Sequence, residues 1–235
     1  MRKIGIFILI IFLSGCATAS YRVAPVFEKY FDTPKTITMV PPDIKIHRLT
    51  AGGIPELVDE WSDDAKKKIV RLLKDELDIF RSVKVSLTDE GNLGEKDRDF
   101  LKEEKGLFYA VAYSIIMHTY SPENTFKHKL AHFDYTMGSE ISALSDITGG
   151  DVLLFCSGTN YIWTAGRVAL SVFAAVVSGS MLMPGPEWFI AALVDAKTGN
   201  IIWFNYISMP GDLRNEEVDK KVIKAVFSSF PAKYK

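Results

Sequence analysis

The pattern of apolar and polar positions in the first half of the chain predicts strands that flank one long helix. Residues 36–40 and 44–49 are β-branched or alternating runs, and residues 83–87 alternate in the same way, so each is typical of a short strand. Between them, apolar residues recur at helical spacing behind Ser62, which we predict to be the N-cap. The positions that share this helical face are Ala65, Ile69, Leu72, Leu73, Leu77 and Phe80.

The middle of the chain predicts two further helices and a central strand. Residues 97–120 fit a helix, although residues 107–120 also have the composition of a strand, and the helical spacing favours the helix. Residues 139–147 predict a short helix that ends at the glycine pair after it. Residues 151–161 are apolar almost throughout, which is typical of a strand buried on both faces.

The C-terminal part predicts a β-hairpin followed by a helix. Residues 188–194 and 200–208 have strand composition and flank the turn 195–199, in which Gly199 can adopt a positive φ. Asn215 is the expected cap of the last helix. The order of elements therefore predicts a mixed α/β (α+β) fold, with a single sheet, helices packed on its faces and a C-terminal β-hairpin followed by a helix.

An apolar insert at residues 165–186 departs from this pattern. No residue between Arg167 and Glu187 is charged, and a helix that is apolar on all sides must be buried against a core, a partner or a membrane. Its helical part of about 16 residues is shorter than the roughly 17–25 that span hydrocarbon. We expect a helix that is buried or faces another subunit, and Arg167 at its start could pair with a carboxylate. We hypothesise that it mediates homo-oligomerisation, and membrane contact is the alternative. The candidate interface residues are Arg167, Val172, Phe173 and Val176.

The N-terminus has the pattern of a lipoprotein signal peptide. Arg2 and Lys3 precede the apolar run 4–13, and small residues follow immediately before Cys16. We predict that residues 1–15 are removed and that Cys16 is acylated, and two or more acyl chains anchor a protein stably in a membrane. The alternative is an ordinary signal peptide with a chance cysteine. Ala17 is not acidic, so we expect residence at the outer membrane with the domain facing the periplasm.

The mature chain is expected to have a lipid anchor, a tether and one domain. Residues 16–35 are the lipidated cysteine and tether, with Phe27, Tyr30 and Phe31 as the side chains that pack on the domain. Residues 36–235 form a single periplasmic α/β domain. Cys156 lies in an apolar run and has no second cysteine to pair with, so we interpret it as a buried structural residue.

Charge and candidate chemistry exclude few functions. Removing Arg2 and Lys3 from the 28 basic residues leaves 26 against 29 acidic ones, which argues against a nucleic-acid partner. His128 and His132 have the i, i+4 spacing of a zinc protease, but Lys129 stands where such an enzyme needs a glutamate. We expect no metal and no cofactor, and a non-enzymatic adaptor or assembly factor that binds an envelope protein. The alternative is a periplasmic hydrolase or metal-dependent enzyme that uses His128, His132 and Asp134.

Several short motifs resemble those of bacterial envelope lipoproteins. They are Phe133-Asp134-Tyr135, the strand start at Gly150-Asp151, Gly166-Arg167-Val168-Ala169-Leu170, the hairpin 195–203, Trp203-Phe204-Asn205 and Gly211-Asp212-Leu213-Arg214. The chain resembles a proteobacterial outer-membrane lipoprotein family that is distantly similar to the curli-secretion lipoprotein and to lipoprotein activators of peptidoglycan synthases. The resemblance implies a periplasmic α/β domain that binds other proteins or assembles into rings, without shared catalytic residues. The alternating membrane strands of the curli channel are missing here, so pore formation is not predicted.

Overall fold

The structure of the protein, a computed structural model, describes residues 21–77, 83–183, 185–208, 211–228 and 230. The predicted signal peptide, Cys16 and the predicted core position Phe80 lie outside the described residues. Predictions about them are therefore neither confirmed nor contradicted by the fold.

Eight strands of the described residues form one mixed sheet. They are β1 (Arg22–Val23), β2 (Lys35–Met39), β3 (Asp43–Leu49), β4 (Pro55–Leu57), β5 (Val83–Leu87), β6 (Val152–Trp163), β7 (Trp188–Asp195) and β8 (Ile201–Ser208). β6 is central, and β7 pairs antiparallel along one of its edges. The other edge is shared: β2 pairs in parallel with residues 152–154, and β3 pairs in parallel with residues 157–163. β8 and then β1 lie beyond β7, β5 lies beyond β2, and β4 lies beyond β3.

Helices cover both faces of this sheet. They are α1 (Phe27–Tyr30), α2 (Asp59–Leu77), α3 (Glu95–Thr119), α4 (Lys127–Ala131), α5 (Ser142–Thr148), α6 (Ala165–Ser178) and α7 (Glu216–Ser228). Buried side chains of α1, α2 and α7 share one core with the sheet, and those of α3 and α5 share the other. The predicted fold class is therefore confirmed, including the C-terminal hairpin that a helix follows.

The two cores exist because side chains alternate along each strand. In β6, Leu154 and Cys156 face the first core, whereas Leu153 and Phe155 face the second. Burial raises the pKa of the Cys156 thiol well above its usual range, which agrees with the predicted structural role.

The prediction for the first long helix is correct for the buried face but wrong for the residue at which the helix begins. Residues 65, 69, 72, 73 and 77 are buried as predicted. However, α2 begins at Asp59, so Ser62 is not the N-cap. Its hydroxyl instead donates to the Val58 carbonyl (2.9 Å) and accepts from the Ile46 backbone N–H (3.0 Å). Ser62 therefore joins the helix to β3, a role that the helical pattern does not contain.

Two regions with weak sequence patterns are ordered elements of the fold. Residues 95–119 are the helix α3, as favoured over a strand, because buried side chains such as Phe108 recur along one face. In the predicted tether, Arg22 and Val23 pair with β8, and Phe27 and Phe31 are buried in the first core. The Tyr30 hydroxyl donates to the Asp195 carboxylate. The three aromatic side chains expected to pack on the domain do so.

Candidate interaction surface

The apolar insert forms a helix with a defined start and end. The Thr164 hydroxyl accepts a hydrogen bond from the Arg167 backbone N–H (3.4 Å) and caps the N-terminus of α6. Gly179 adopts a positive φ of 70° and ends the helix, and its N–H donates to the Ala175 carbonyl. The described residues contain no helix that is both long and apolar enough to cross a membrane.

The amphipathic character of α6 is inverted. Its inward positions are polar or small: Arg167 and Ser171 are the buried residues of the helix. Its outward positions and the segment after it are apolar and exposed, from 40% at Leu170 to 80% at Val176. We call this set the α6 surface; it comprises Val168, Leu170, Val172, Phe173, Val176, Val177, Met181 and Met183. Of the predicted environments, the domain's own core does not cover this face, and the alternatives of a second subunit or a membrane stay predictions.

Arg167 holds the helix against the rest of the domain. Its guanidinium donates to the carbonyls of Thr50 and Met183, both at 3.4 Å, and lies 5.1 Å above the ring of Trp163. The predicted pairing with a carboxylate is wrong, because the groups that face Arg167 are backbone carbonyls at the end of β3 and after α6. Ser171 acts similarly, and its hydroxyl accepts from the Leu182 N–H (3.3 Å). Of the candidate interface residues, Arg167 is therefore internal, whereas Val172, Phe173 and Val176 are exposed.

The loop after β3 extends the α6 surface. A Cβ on Gly53 would lie 3.3 Å from a guanidinium nitrogen of Arg167, so this loop runs against the helix. The next residue, Ile54, is 74% exposed. Exposed apolar patches of this extent are uncommon on soluble monomers and mark contact surfaces.

An aromatic groove lies at the same end of the sheet. Tyr109 and Tyr113 project from one face of α3, and the Tyr109 ring centroid is 5.9 Å from that of Trp188 at the start of β7. The groove encloses about 140 Å³ and is lined by Tyr109, Tyr113, Ile116, Pro186, Trp188, Ile190 and Tyr206. The groove is not predictable from the sequence pattern. The spacing of Tyr109 and Tyr113 was the one available signal, since their partners come from strands more than 70 residues away.

The predicted histidine site is not assembled. His128 lies in α4 and its ring stacks beside Phe126, with centroids 5.7 Å apart. Asp134 accepts a hydrogen bond from Lys129 (2.5 Å), which lowers the pKa of this carboxyl. Within the described ranges, no group of three His, Cys, Asp or Glu side chains is placed to hold a metal ion. The structure therefore does not bring His128, His132 and Asp134 together as a metal centre.

Comparisons with known proteins show similarity at the level of structure. The sequence matches no protein-family model, and no curated protein matches it. The fold is similar to a PelC dodecamer from Paraburkholderia phytofirmans, with a TM-score of 0.34 and 9% identity over 85% of this chain and 90% of that chain. It is also similar to lipoprotein GNA1162 from Neisseria meningitidis (TM-score 0.33, 13% identity, 84% of this chain and 98% of that chain). A third similar structure is the C-terminal domain of LpoB from Salmonella enterica (TM-score 0.28, 10% identity, 78% and 92%).

Membership of a particular family stays a prediction. The candidate site is defined by this chain's own geometry: an inverted helix and an aromatic groove at one end of the sheet.

Proposed function

We propose that this protein is a lipid-anchored protein of the bacterial envelope that works as a non-enzymatic adaptor or assembly factor. In this proposal, acylated Cys16 holds it at the outer membrane with the domain facing the periplasm. The domain then binds another envelope protein. The observation that carries the proposal is the aromatic groove formed by Tyr109, Tyr113, Trp188 and Tyr206.

The composition of this groove suits a protein ligand. Tyr and Trp provide large contact areas on stiff side chains, and they are enriched among the residues that dominate binding energy at protein interfaces. Tyr109 and Tyr113 are 41% and 56% exposed, so a partner can cover both rings. A volume of about 140 Å³ accommodates one or two apolar side chains of a partner segment. Pro186 and Ile190 add apolar side chains to the lining of the groove.

Site-directed photo-crosslinking of the full-length, exported protein tests this function. We expect a photoreactive amino acid at Tyr113 to give one adduct of defined mass, and the same probe at Lys197 to give none. Lys197 is exposed in the turn after β7, at the opposite end of the sheet. The additional substitution Tyr109→Ala removes one wall of the groove and should abolish the adduct.

The lipid anchor is tested within the same experiment. In Cys16→Ser, acylation is blocked, so the protein should leave the membrane fraction or remain unprocessed. The adduct at Tyr113 should then decrease, because the anchor no longer keeps the domain near its partner. Equal crosslinking at positions 113 and 197 would contradict the adaptor role, and a wholly soluble wild-type protein would contradict the anchor.

A further inference from the structure

The α6 surface shares no residue with the lining of the aromatic groove, so it can contact a different ligand. We propose that it lies in the plane of the membrane to which Cys16 is anchored, so that the protein contacts lipid through both its acyl chains and this helix. The inference goes beyond the adaptor function and rests on the predicted acylation of Cys16.

The inverted pattern of α6 is what a lipid surface requires. A helix that contacts lipid presents apolar side chains outward and satisfies its polar groups internally. Arg167 and Ser171 turn inward and bond to backbone groups of the domain, whereas Val172, Phe173 and Val176 face outward without a charged neighbour between positions 167 and 187. At 14 residues, α6 is about 21 Å long, which suits a helix lying in the interface and not a span.

The direction of β1 points the N-terminal chain toward this end of the domain. β1 pairs antiparallel with β8, and Arg22 is opposite Phe204. Followed backward from Arg22, the chain therefore runs toward Ser208, which is opposite Trp188. Trp188 is in turn opposite Thr159 in β6, and β6 continues from there into α6. At Arg22 and Val23 the chain, followed backward, is thus directed toward the end of the sheet that carries the α6 surface.

The tether is long enough to reach this end of the domain. Through β8 and β7, Arg22 is level with Phe155 of β6, and the eight residues from Phe155 to Trp163 advance about 26 Å toward α6. The six residues from Arg22 back to Cys16 reach about 20 Å when extended. The sideways offset between β1 and β6 is three strand spacings, about 14 Å. A fully extended tether therefore ends about 6 Å short of Trp163 in height and about 14 Å to the side of β6, so an acylated Cys16 can reach the same end of the domain as α6 without lying against the helix.

This proximity favours lipid over a second copy of the chain. A short tether converts membrane contact into an intramolecular event, with lipid always at high effective concentration. A second copy must instead be found by diffusion in the membrane plane.

Depth-dependent fluorescence quenching tests the proposal in the lipidated protein. An environment-sensitive fluorophore is attached at Val176→Cys or at the control Lys197→Cys, since Cys16 is acylated and Cys156 is buried. The protein is reconstituted into phosphatidylethanolamine–phosphatidylglycerol vesicles whose acyl chains carry bromine. We expect quenching and a blue shift at position 176 and neither at position 197. Equal behaviour at both positions would overturn the proposal.

A charged double variant separates lipid from a second copy. Val172 and Val176 are 57% and 80% exposed, so Val172→Asp with Val176→Asp should leave the circular dichroism unchanged. Without acyl chains the mature Cys16→Ser parent should bind vesicles only weakly and reversibly, so the comparison is made at high vesicle concentration, where the double variant should float at least about tenfold less than its parent. Sedimentation of the same parent in the absence of lipid should show a monomer. An oligomer that the double variant dissociates, without lipid quenching at position 176, would assign the surface to a second copy and overturn the proposal.

Discussion

Asp219 should make the protein less stable as the pH rises from 4 to 8. This residue lies in the first turn of α7 and is fully buried, and neither carboxylate oxygen has a hydrogen-bond partner among the described residues. The Lys68 ammonium is 3.8 Å away and donates to the Arg214 carbonyl (2.7 Å). Burial is the largest effect and raises the pKa of Asp219 from 3.8 to about 7. The carboxylates of Asp212 and Glu216 raise it further, and Lys68 lowers it.

The direction of the effect follows from proton binding. In the unfolded chain Asp219 ionises near pH 3.8, whereas in the folded chain it keeps its proton until about pH 7. Between these values the folded state binds more protons than the unfolded state, so stability falls as the pH rises. Each unit of difference between the folded and unfolded pKa values corresponds to about 1.36 kcal/mol. The free energy of unfolding should therefore fall by about 4 kcal/mol between pH 3.8 and pH 7 because of Asp219. Below pH 3.8 the residue is neutral in both states and contributes no pH dependence.

The substitution Asp219→Asn removes this ionisation and keeps the shape of the side chain. Urea unfolding of the mature Cys16→Ser chain at pH 4, 5.5, 7 and 8 should give similar free energies of unfolding for both proteins at pH 4. At pH 8 the variant should be more stable by about 4 kcal/mol. Glu217→Gln, a neutralisation of an exposed residue in the same turn, is the matched control and should not change the slope. Parallel stability curves for Asp219→Asn and its parent would refute the reasoning.

Two further substitutions test the hairpin turn and the N-terminal segment. Gly199→Ala should lower the free energy of unfolding by about 1–3 kcal/mol, because φ is 73° there and a Cβ would lie 2.0 Å from the Gly138 carbonyl oxygen. The control Gly106→Ala, at an open position inside α3, should raise the free energy of unfolding by about 0.5–1 kcal/mol. Thermal unfolding distinguishes the two outcomes. Phe27→Ala should lower the free energy of unfolding by about 3–5 kcal/mol because the ring is 1% exposed, and Val26→Ala, at an exposed position, by less than about 0.5 kcal/mol; equal effects would mean that the segment is not part of the core.

The sequence predicts those elements in which apolar residues recur with the period of a helix or a strand, because that period marks the buried side. The apolar face of α2 and the C-terminal hairpin are clear because each has one buried side. In α6 nearly every position is apolar, so its sequence has no period that distinguishes inside from outside. The polar pair Arg167 and Ser171, spaced by four residues, marks the inward face only when the carbonyls that they meet are known. β1 has two residues, too few to form a pattern, and it exists because β8 offers an open edge.

The pairing of the first strand with the last has a consequence for how folding proceeds during export. Arg22 is opposite Phe204, so β1 cannot be placed until β8 has been delivered, nearly the whole chain later. Contacts of such large sequence separation are slow to form, and domains fold from the N-terminus as they emerge. Until β8 arrives, the first strand that can hold the chain is β2 at Lys35, and the 19 residues back to Cys16 allow a reach of about 60 Å. Completion of the sheet reduces that reach to about 20 Å, so in the lipid-anchored protein that we propose the domain would be drawn to the membrane only in molecules that have finished folding.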